Sequence, residues 1–351
     1  MTAKIPVAIL AATGAVGQRF IQLLDRHPWF EVVCLTGSDR RVGQAYADTV
    51  RWILPEPMPG WAGALKIEPS LPRREPLPLV FSALPAKYAR EIEARHAAAG
   101  AAVCTNASAF RRDPLVPLLL PEVNADHLAL IPRQRETYGW RGLIAANPNC
   151  TSTGMTVALK ILDEAFGVQR VFAVSMQAVS GAGYPGVASL DMLDNVVPFI
   201  GGEEEKVEWE PRKMLGMVSA AGLALHPIQI SAHTNRVPVS DGHTVCLSIE
   251  FAAKPAPAEV ESALRGYVPP GKARGLPSSP APPVVVRPEE DRPQPRLDRL
   301  TGRGMSTTVG RIRADPLFDI KLAVLSHNTI RGAAGGSIYN AELLVREGLA
   351  G

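Results

Sequence analysis

Short apolar runs alternate with amphipathic stretches through the first 150 residues. Pro6-Val7-Ala8-Ile9-Leu10 predicts a strand, and Val16, Phe20, Leu23 and Leu24 recur at helical spacing just beyond it. Residues 31–36 predict a second strand, 77–84 a third that ends at Pro85, and 101–105 a fourth. Residues 87–99 read as a helix closed by Gly100. This rhythm predicts an α/β protein whose first part is a Rossmann-like doubly wound parallel sheet, with its ligand at the carboxyl ends of the strands.

Beyond residue 170 the pattern changes. Residues 170–179 place Phe172, Val174 and Met176 on one face of a strand, and 243–251 place Val245, Leu247, Ile249 and Phe251 on one face of another. Alternation of this kind predicts a broader, mixed or antiparallel sheet in an α+β unit. Residues 269–295 are rich in proline and charge and read as a surface linker, interrupted by an ordered Val284-Val285-Val286. Residues 320–325 give a further strand. A glycine-rich turn at 332–336 then precedes an apolar helix bearing Ile338, Leu343 and Leu344.

Composition narrows the function classes. The chain has 351 residues, 46% hydrophobic and 20% charged, and a formal net charge of +3. That charge, with no basic stripe, argues against a nucleic-acid partner, and no run approaches 18 apolar residues, so no membrane span is expected. The four cysteines, at 34, 104, 150 and 246, form no C-x-x-C pair, so neither a metal site nor a redox dithiol is expected. With no apolar leader at the N-terminus, the expectation is a cytoplasmic protein with reduced thiols.

Two segments carry chemistry. Thr13-Gly14-Ala15-Val16-Gly17 lies between a strand and a helix, where backbone N–H groups can approach a pyrophosphate; Ala11 stands where the usual pattern has its first glycine. The second strand leads into Thr36-Gly37-Ser38-Asp39-Arg40-Arg41. Ser38, Arg40 and Arg41 suit the extra phosphate of NADP, whereas Asp39 would serve the ribose of NAD. The second segment is Asn147-Pro148-Asn149-Cys150-Thr151, between the apolar run 143–146 and a helical pattern through Met155, Leu159, Leu162 and Phe166. A thiol at a helix start is expected to have a lowered pKa and nucleophilic character. Cys34, Cys104 and Cys246 fall inside strand patterns and read as buried small hydrophobes. A thiolate attacking an aldehyde beside a nicotinamide also needs an acid/base, and His243, presented by the turn Ser240-Asp241-Gly242, is placed to supply it.

With Asn106-Ala107-Ser108, Gln177 to Gly183, Arg236-Val237-Pro238-Val239, Gly202-Glu203-Glu204-Glu205-Lys206 and His327 to Gly335 added in order, the chain resembles the aspartate-semialdehyde dehydrogenases of the archaeal and fungal-type branch. The resemblance implies reversible, NADP-linked reduction of aspartyl phosphate to aspartate semialdehyde with release of phosphate. It implies Cys150 as nucleophile, His243 as acid/base and Gln177 as the residue orienting substrate. Arg236 would hold the substrate carboxylate, and Glu203, with Glu204 as a neighbouring candidate, the amino group. Arg111 and Lys206 would receive phosphate, with Asn106, Ser108 and Asn149 beside them. The implied cofactor contacts are Thr13, Gly14, Ala15, Val16, Ser38, Arg40, Arg41, Ser82, Ser180, Gly181 and Asn328, and no metal is implied. The implied domains are an NADP-binding unit, 1–149 completed by 327–351, and a catalytic and dimerisation unit, 150–326, assembling as a homodimer or homotetramer. A malonyl-coenzyme-A type reductase using the same thiol, and a nucleotide sensor without catalysis, remain as alternatives.

Overall fold

Six short strands make the first sheet: β1 (Ile5–Leu10), β2 (Phe30–Thr36), β3 (Ile67–Glu68), β4 (Leu79–Ser82), β5 (Ala102–Thr105) and β6 (Leu143–Ala146). They come from a computed structural model that describes residues 3–351. All pair in parallel, in the order β3-β2-β1-β4-β5-β6. Every residue of β4, β5 and β6 is buried, as a parallel sheet covered on both faces requires. One face packs Val7, Ile9, Phe81 and Cys104 against Phe20, Ile21 and Leu24 of the helix Ala15–Leu24, and against Ile338, Leu343 and Leu344 of the helix Gly335–Arg346. The other packs Ala8, Val80, Val103 and Ile144 against the helix Ala86–Ala99. The C-terminal helix therefore returns to the first sheet. Strand order reverses between β1 and β4, which opens a crevice at their carboxyl ends.

The second sheet is mixed. It contains β7 (Val168–Gln177), then, after a small separate hairpin of β8 (Met217–Ser219) and β9 (Gly222–Ala224), β10 (Gln229–Arg236), β11 (His243–Phe251), β12 (Val284–Arg287), β13 (Thr307–Ala314) and β14 (Ile320–Ser326). The order is β10-β7-β11-β14-β13-β12; β10/β7 and β12/β13 are parallel, the remaining pairs antiparallel. The valine run inside the proline-rich stretch is thus an edge strand. The helix Cys150–Phe166 covers one face, burying Val171, Ala173, Val245, Leu247, Ile249, Phe251, Leu322 and Val324. The alternate set on β7, Phe172, Val174 and Met176, lies on the opposite face and is only half-buried. Cys246 pairs with Val174 on that open face and is exposed. This corrects the expectation that it is buried: strand alternation puts it one residue out of phase with the core. Cys34 and Cys104 are buried as expected.

Register decides where the strand ends fall. Arg236 pairs with Gln177 in the parallel β10/β7 ladder, Thr244 pairs with Met176, and His243 pairs with Ser326. Gln177, Arg236 and His243 therefore end the helix-covered face of three neighbouring strands in one row, beside the first turn of the helix Cys150–Phe166.

Ala11 takes φ 55°, in the left-handed region. A Cβ on Gly17 would lie 2.5 Å from the Ala11 carbonyl oxygen, so helix and turn approach as closely as backbone allows. The turn keeps its shape without its first glycine, at a conformational cost of about 1–2 kcal/mol. Ala11→Gly should stabilise the fold by about 1 kcal/mol, a rise in Tm of about 1–2 °C by calorimetry; an unchanged or lower Tm contradicts a strained Ala11.

Candidate active site

Cys150 opens the helix Cys150–Phe166, and Asn149 caps it. The Asn149 Oδ1 accepts the N–H groups of Thr151 (2.9 Å) and Ser152 (3.1 Å). This cap fixes the start of the helix and the direction of the thiol. From behind, a Cβ on Gly332 would sit 2.7 Å from the Cys150 Cβ. Gly332 belongs to a π-helical turn, Ile330–Ala334, that runs directly into the C-terminal helix. Such turns concentrate at functional sites.

The Cys150 Sγ lies 3.2 Å from the His243 Nε2. On the other side of the ring, Nδ1 accepts the Ala178 N–H at 3.0 Å. A backbone N–H can only donate, so the neutral ring carries its proton on Nε2, pointing at sulfur. Burial, then the nearby Arg236 and His327, hold His243 down at about 3, with Asp241 opposing. Burial, then Glu203, push the Cys150 thiol up to about 12, against Arg111 and Arg236. Position at a helix start predicts a lowered pKa from the helix dipole. That dipole contributes about 0.3–1 kcal/mol, less than about one pH unit of displacement, and desolvation of the sulfur outweighs it. In the ligand-free site the pair is a neutral thiol and a neutral imidazole.

The thiol opens onto a crevice of about 600 Å³ between the two sheets. Arg236 lines it, its Nη1 donating to the Ala178 carbonyl at 2.8 Å. Gly181 faces this group: a Cβ there would lie 2.8 Å from the Arg236 Nη1 and 3.0 Å from the His243 Cε1. Glu203 is buried at the crevice wall. Its Oε1 accepts from the Asn149 Nδ2 (2.7 Å) and the Gln177 Nε2 (3.2 Å), and its Oε2 pairs with the Lys206 Nζ (3.2 Å). Glu204 turns away and accepts the Thr234 N–H at 3.1 Å. Arg111 donates from Nη2 to the Asn106 carbonyl (2.8 Å) and from Nη1 to Glu210 (3.0 Å). Asn106, Ser108, Arg111, Asn149, Gln177 and Lys206 all line the same crevice.

The crevice reaches Ala15, Val16, Ser180, Gly181 and Asn328. Asn328 accepts the Gly242 N–H through Oδ1 and donates to the Ser180 Oγ, both at 2.8 Å. A second cavity of about 400 Å³ is lined by Ala11, Thr13, Ser38 and Asp39, with Ser70, Leu84, Tyr88 and Ile92 opposite. Between the two, Gly14 is the N-cap of the helix Ala15–Leu24, and no side chain caps that helix. Its first-turn N–H groups are free to meet a pyrophosphate, so the residues fit a dinucleotide. Arg40 and Arg41 follow in the short turn Asp39–Arg41 and do not line this cavity. Ser82 is fully buried beneath the crevice, its hydroxyl donated to Glu93 at 2.6 Å.

Two family models match: "Semialdehyde dehydrogenase, NAD binding domain" over residues 6–131, and "Semialdehyde dehydrogenase, dimerisation domain" over 159–331. The aspartate-semialdehyde dehydrogenase of Archaeoglobus fulgidus is 49% identical over 341 residues, 97% of this chain and 98% of the relative. The chain belongs to the aspartate-semialdehyde dehydrogenase family. The Cryptococcus neoformans aspartate-semialdehyde dehydrogenase is likewise 49% identical, over 99% of this chain and 98% of its own. The crystal structure of the family member from Candida albicans, solved with NADP, superposes with a TM-score of 0.91 at 40% identity, covering 98% of this chain and 99% of that one. A second family structure, aspartate semialdehyde dehydrogenase II of Vibrio cholerae complexed with ASA, gives a TM-score of 0.78 at 25% identity, covering 99% of each chain.

Ser70, Leu84, Tyr88 and Ile92 were not legible as cavity residues, because they come from loops and a helix with no motif of their own. Glu210 was missed for a different reason, since it carries no signal apart from the acidic helix in which it sits.

The raised thiol pKa has a direct readout. Alkylation of the ligand-free enzyme by iodoacetamide, followed at the Cys150 peptide by mass spectrometry, should accelerate about tenfold per pH unit from pH 7 to 10, because only the thiolate reacts. A rate already level below pH 8 would mean a preformed thiolate.

Proposed function

We propose that the protein catalyses the reversible, NADP-dependent reductive dephosphorylation of L-4-aspartyl phosphate to L-aspartate 4-semialdehyde, through a thioester on Cys150. The observation that carries this reading is one crevice holding a thiol 3.2 Å from an imidazole together with the cations Arg236, Arg111 and Lys206. Family membership and the superposition on a relative solved with NADP support the same reaction and cofactor.

Each group then has a task. Arg236 pairs with the α-carboxylate through a planar fork, and Glu203 faces the amino group. Gln177 orients the reacting carbonyl over the sulfur. In the aldehyde direction the Cys150 S–H bond breaks, its proton passing to solvent in the open crevice because the imidazole already carries its proton on Nε2, and the sulfur attacks the carbonyl carbon to form a C–S bond. The developing oxyanion receives a hydrogen bond from the Nε2–H of His243, the one ring proton that the Ala178 contact leaves available. NADP, when bound, supplies the hydride chemistry that no side chain can. Phosphate held by Arg111 and Lys206 then attacks the thioester carbonyl; a C–O bond forms, the C–S bond breaks, and Cys150 leaves as thiolate. We assign the cofactor to residues 1–149 with 327–351, and catalysis and assembly to 150–326. Thr13, Gly14, Ala15 and Val16 serve the pyrophosphate, Ser38 the adenosine phosphate, with Arg40 and Arg41 following it in the same turn outside the cavity lining, and Ser180, Gly181 and Asn328 the nicotinamide. Ser82, expected among the cofactor contacts, lines neither cavity, and its buried hydroxyl is committed to Glu93.

Self-association through the second sheet belongs to the same reading. Phe172, Val174 and Met176 lie on its open face, and Leu190, Leu193 and Phe199 are strongly exposed. These residues fall within the span matched by the dimerisation-domain model, and a second copy of the chain is the cover we assign to them.

With aspartate semialdehyde, phosphate and NADP, the protein should form reduced nicotinamide at a rate that depends on phosphate. Cys150→Ala should abolish turnover and keep NADP affinity within about threefold. Consumption of malonyl coenzyme A without semialdehyde activity would replace the reading. In sedimentation velocity the protein should run as a dimer or tetramer at micromolar concentration, and Val174→Asp should shift it toward monomer; a wild-type monomer removes the assembly assignment.

A further inference from the structure

We infer that Glu210 is a positioning residue that locks the anion-binding arginine to the helix carrying the nucleophile. The inference rests on the proposed reaction and adds a residue that does not line the crevice. Glu210 sits in the helix Glu204–Met214 and is 2% exposed. Its two oxygens serve two sides of the site. Oε2 accepts the backbone N–H of Asn149 at 2.6 Å, the residue just before Cys150. Oε1 pairs with the Arg111 Nη1 at 3.0 Å. One carboxylate thus joins the N-cap of the nucleophile's helix to the Arg111 guanidinium.

The same helix holds Arg111 a second way. Lys213, three residues on, donates from Nζ to the carbonyls of Arg111 (2.7 Å), Asp113 (2.6 Å) and Val116 (2.8 Å). Lys213 fixes the backbone of the arginine and Glu210 fixes its head. Arg111 lines the crevice, and its Nη1 and Nη2 each carry a second N–H beyond those given to Glu210 and Asn106, so the guanidinium keeps donors for an incoming anion. The distance between sulfur and anion site matters because phosphate must reach the thioester carbonyl on the attack trajectory, and small misplacements of reacting groups are costly.

Both partners of Glu210 are donors, and only a carboxylate offers an acceptor to each. Glutamine has the same shape, but its NH₂ must face either Asn149 N–H or Arg111 N–H, donor against donor. Whichever way the amide turns, the negative charge that holds the Arg111 guanidinium is lost, so Glu210→Gln should raise the KM for phosphate at least tenfold. The burst of reduced nicotinamide formed from aspartate semialdehyde and NADP without phosphate, which reports acyl-enzyme formation, should change less than threefold. In an Arg111→Ala background the effect of Glu210→Gln on the phosphate KM should vanish, since the carboxylate acts through that arginine. Glu210→Asp keeps both acceptors on a shorter stem and should show the same split at smaller amplitude, which serves if the glutamine variant does not fold. An unchanged phosphate KM, an equal loss in burst and phosphate step, or additivity with Arg111→Ala overturns the inference while the wild-type reaction stands. A wild type without phosphate-dependent turnover overturns the reaction, and this inference with it.

Discussion

The 3.2 Å contact between the Cys150 Sγ and the His243 Nε2 joins two sheets that share no strand. Cysteine arrives from the carboxyl end of the parallel sheet, just after β6; histidine arrives from the start of β11 in the mixed sheet. Neither sheet alone makes a site. The helix Cys150–Phe166 solves the joining problem, because its N-terminus belongs to the edge of the first sheet while its body forms the cover of the second. Core packing along that helix therefore sets the catalytic geometry, and Met155, Leu159 and Leu162, all buried, position the thiol as surely as the polar groups around it.

Electrostatics in the crevice are built from cations held by carboxylates. Lys206 is paired with Glu203, and Arg111 with Glu210. A cation with a partner already in place is oriented before substrate arrives, which lowers the ordering cost of binding. The same arrangement keeps the thiol protonated at rest, since Glu203 adds to the burial that disfavours a thiolate. Anions and further burial raise a thiol pKa and a nearby cation lowers it, and at Cys150 the opposing charges are Arg111 and Arg236.

Most of the architecture was legible because its signals are local. Period-two alternation located β7 and β11, glycine and proline punctuation located the helix Ala86–Ala99, and the strand–glycine–helix sequence located the nucleotide loop. Burial phase was harder. The spacing that puts Phe172, Val174 and Met176 on a common face does not say which face the helix covers, and Cys246 was misplaced for that reason. The thiol's pKa was misjudged because position at a helix start is visible in sequence whereas desolvation is a property of the packed site. Glu210 and Tyr88 were invisible because their roles depend on contacts across more than 60 positions of chain or on a cavity wall made by several loops. The choice between Glu203 and Glu204, open in the sequence, becomes a matter of helix phase: one faces the crevice, the other the edge of β10.

Gly332 supports Cys150 from a segment encoded far downstream, and the helix that follows it closes one face of the first sheet. During synthesis on the ribosome the cysteine emerges long before that backing exists. The nascent chain carries the thiol, its cap and its imidazole partner before the segment that backs the cysteine has emerged.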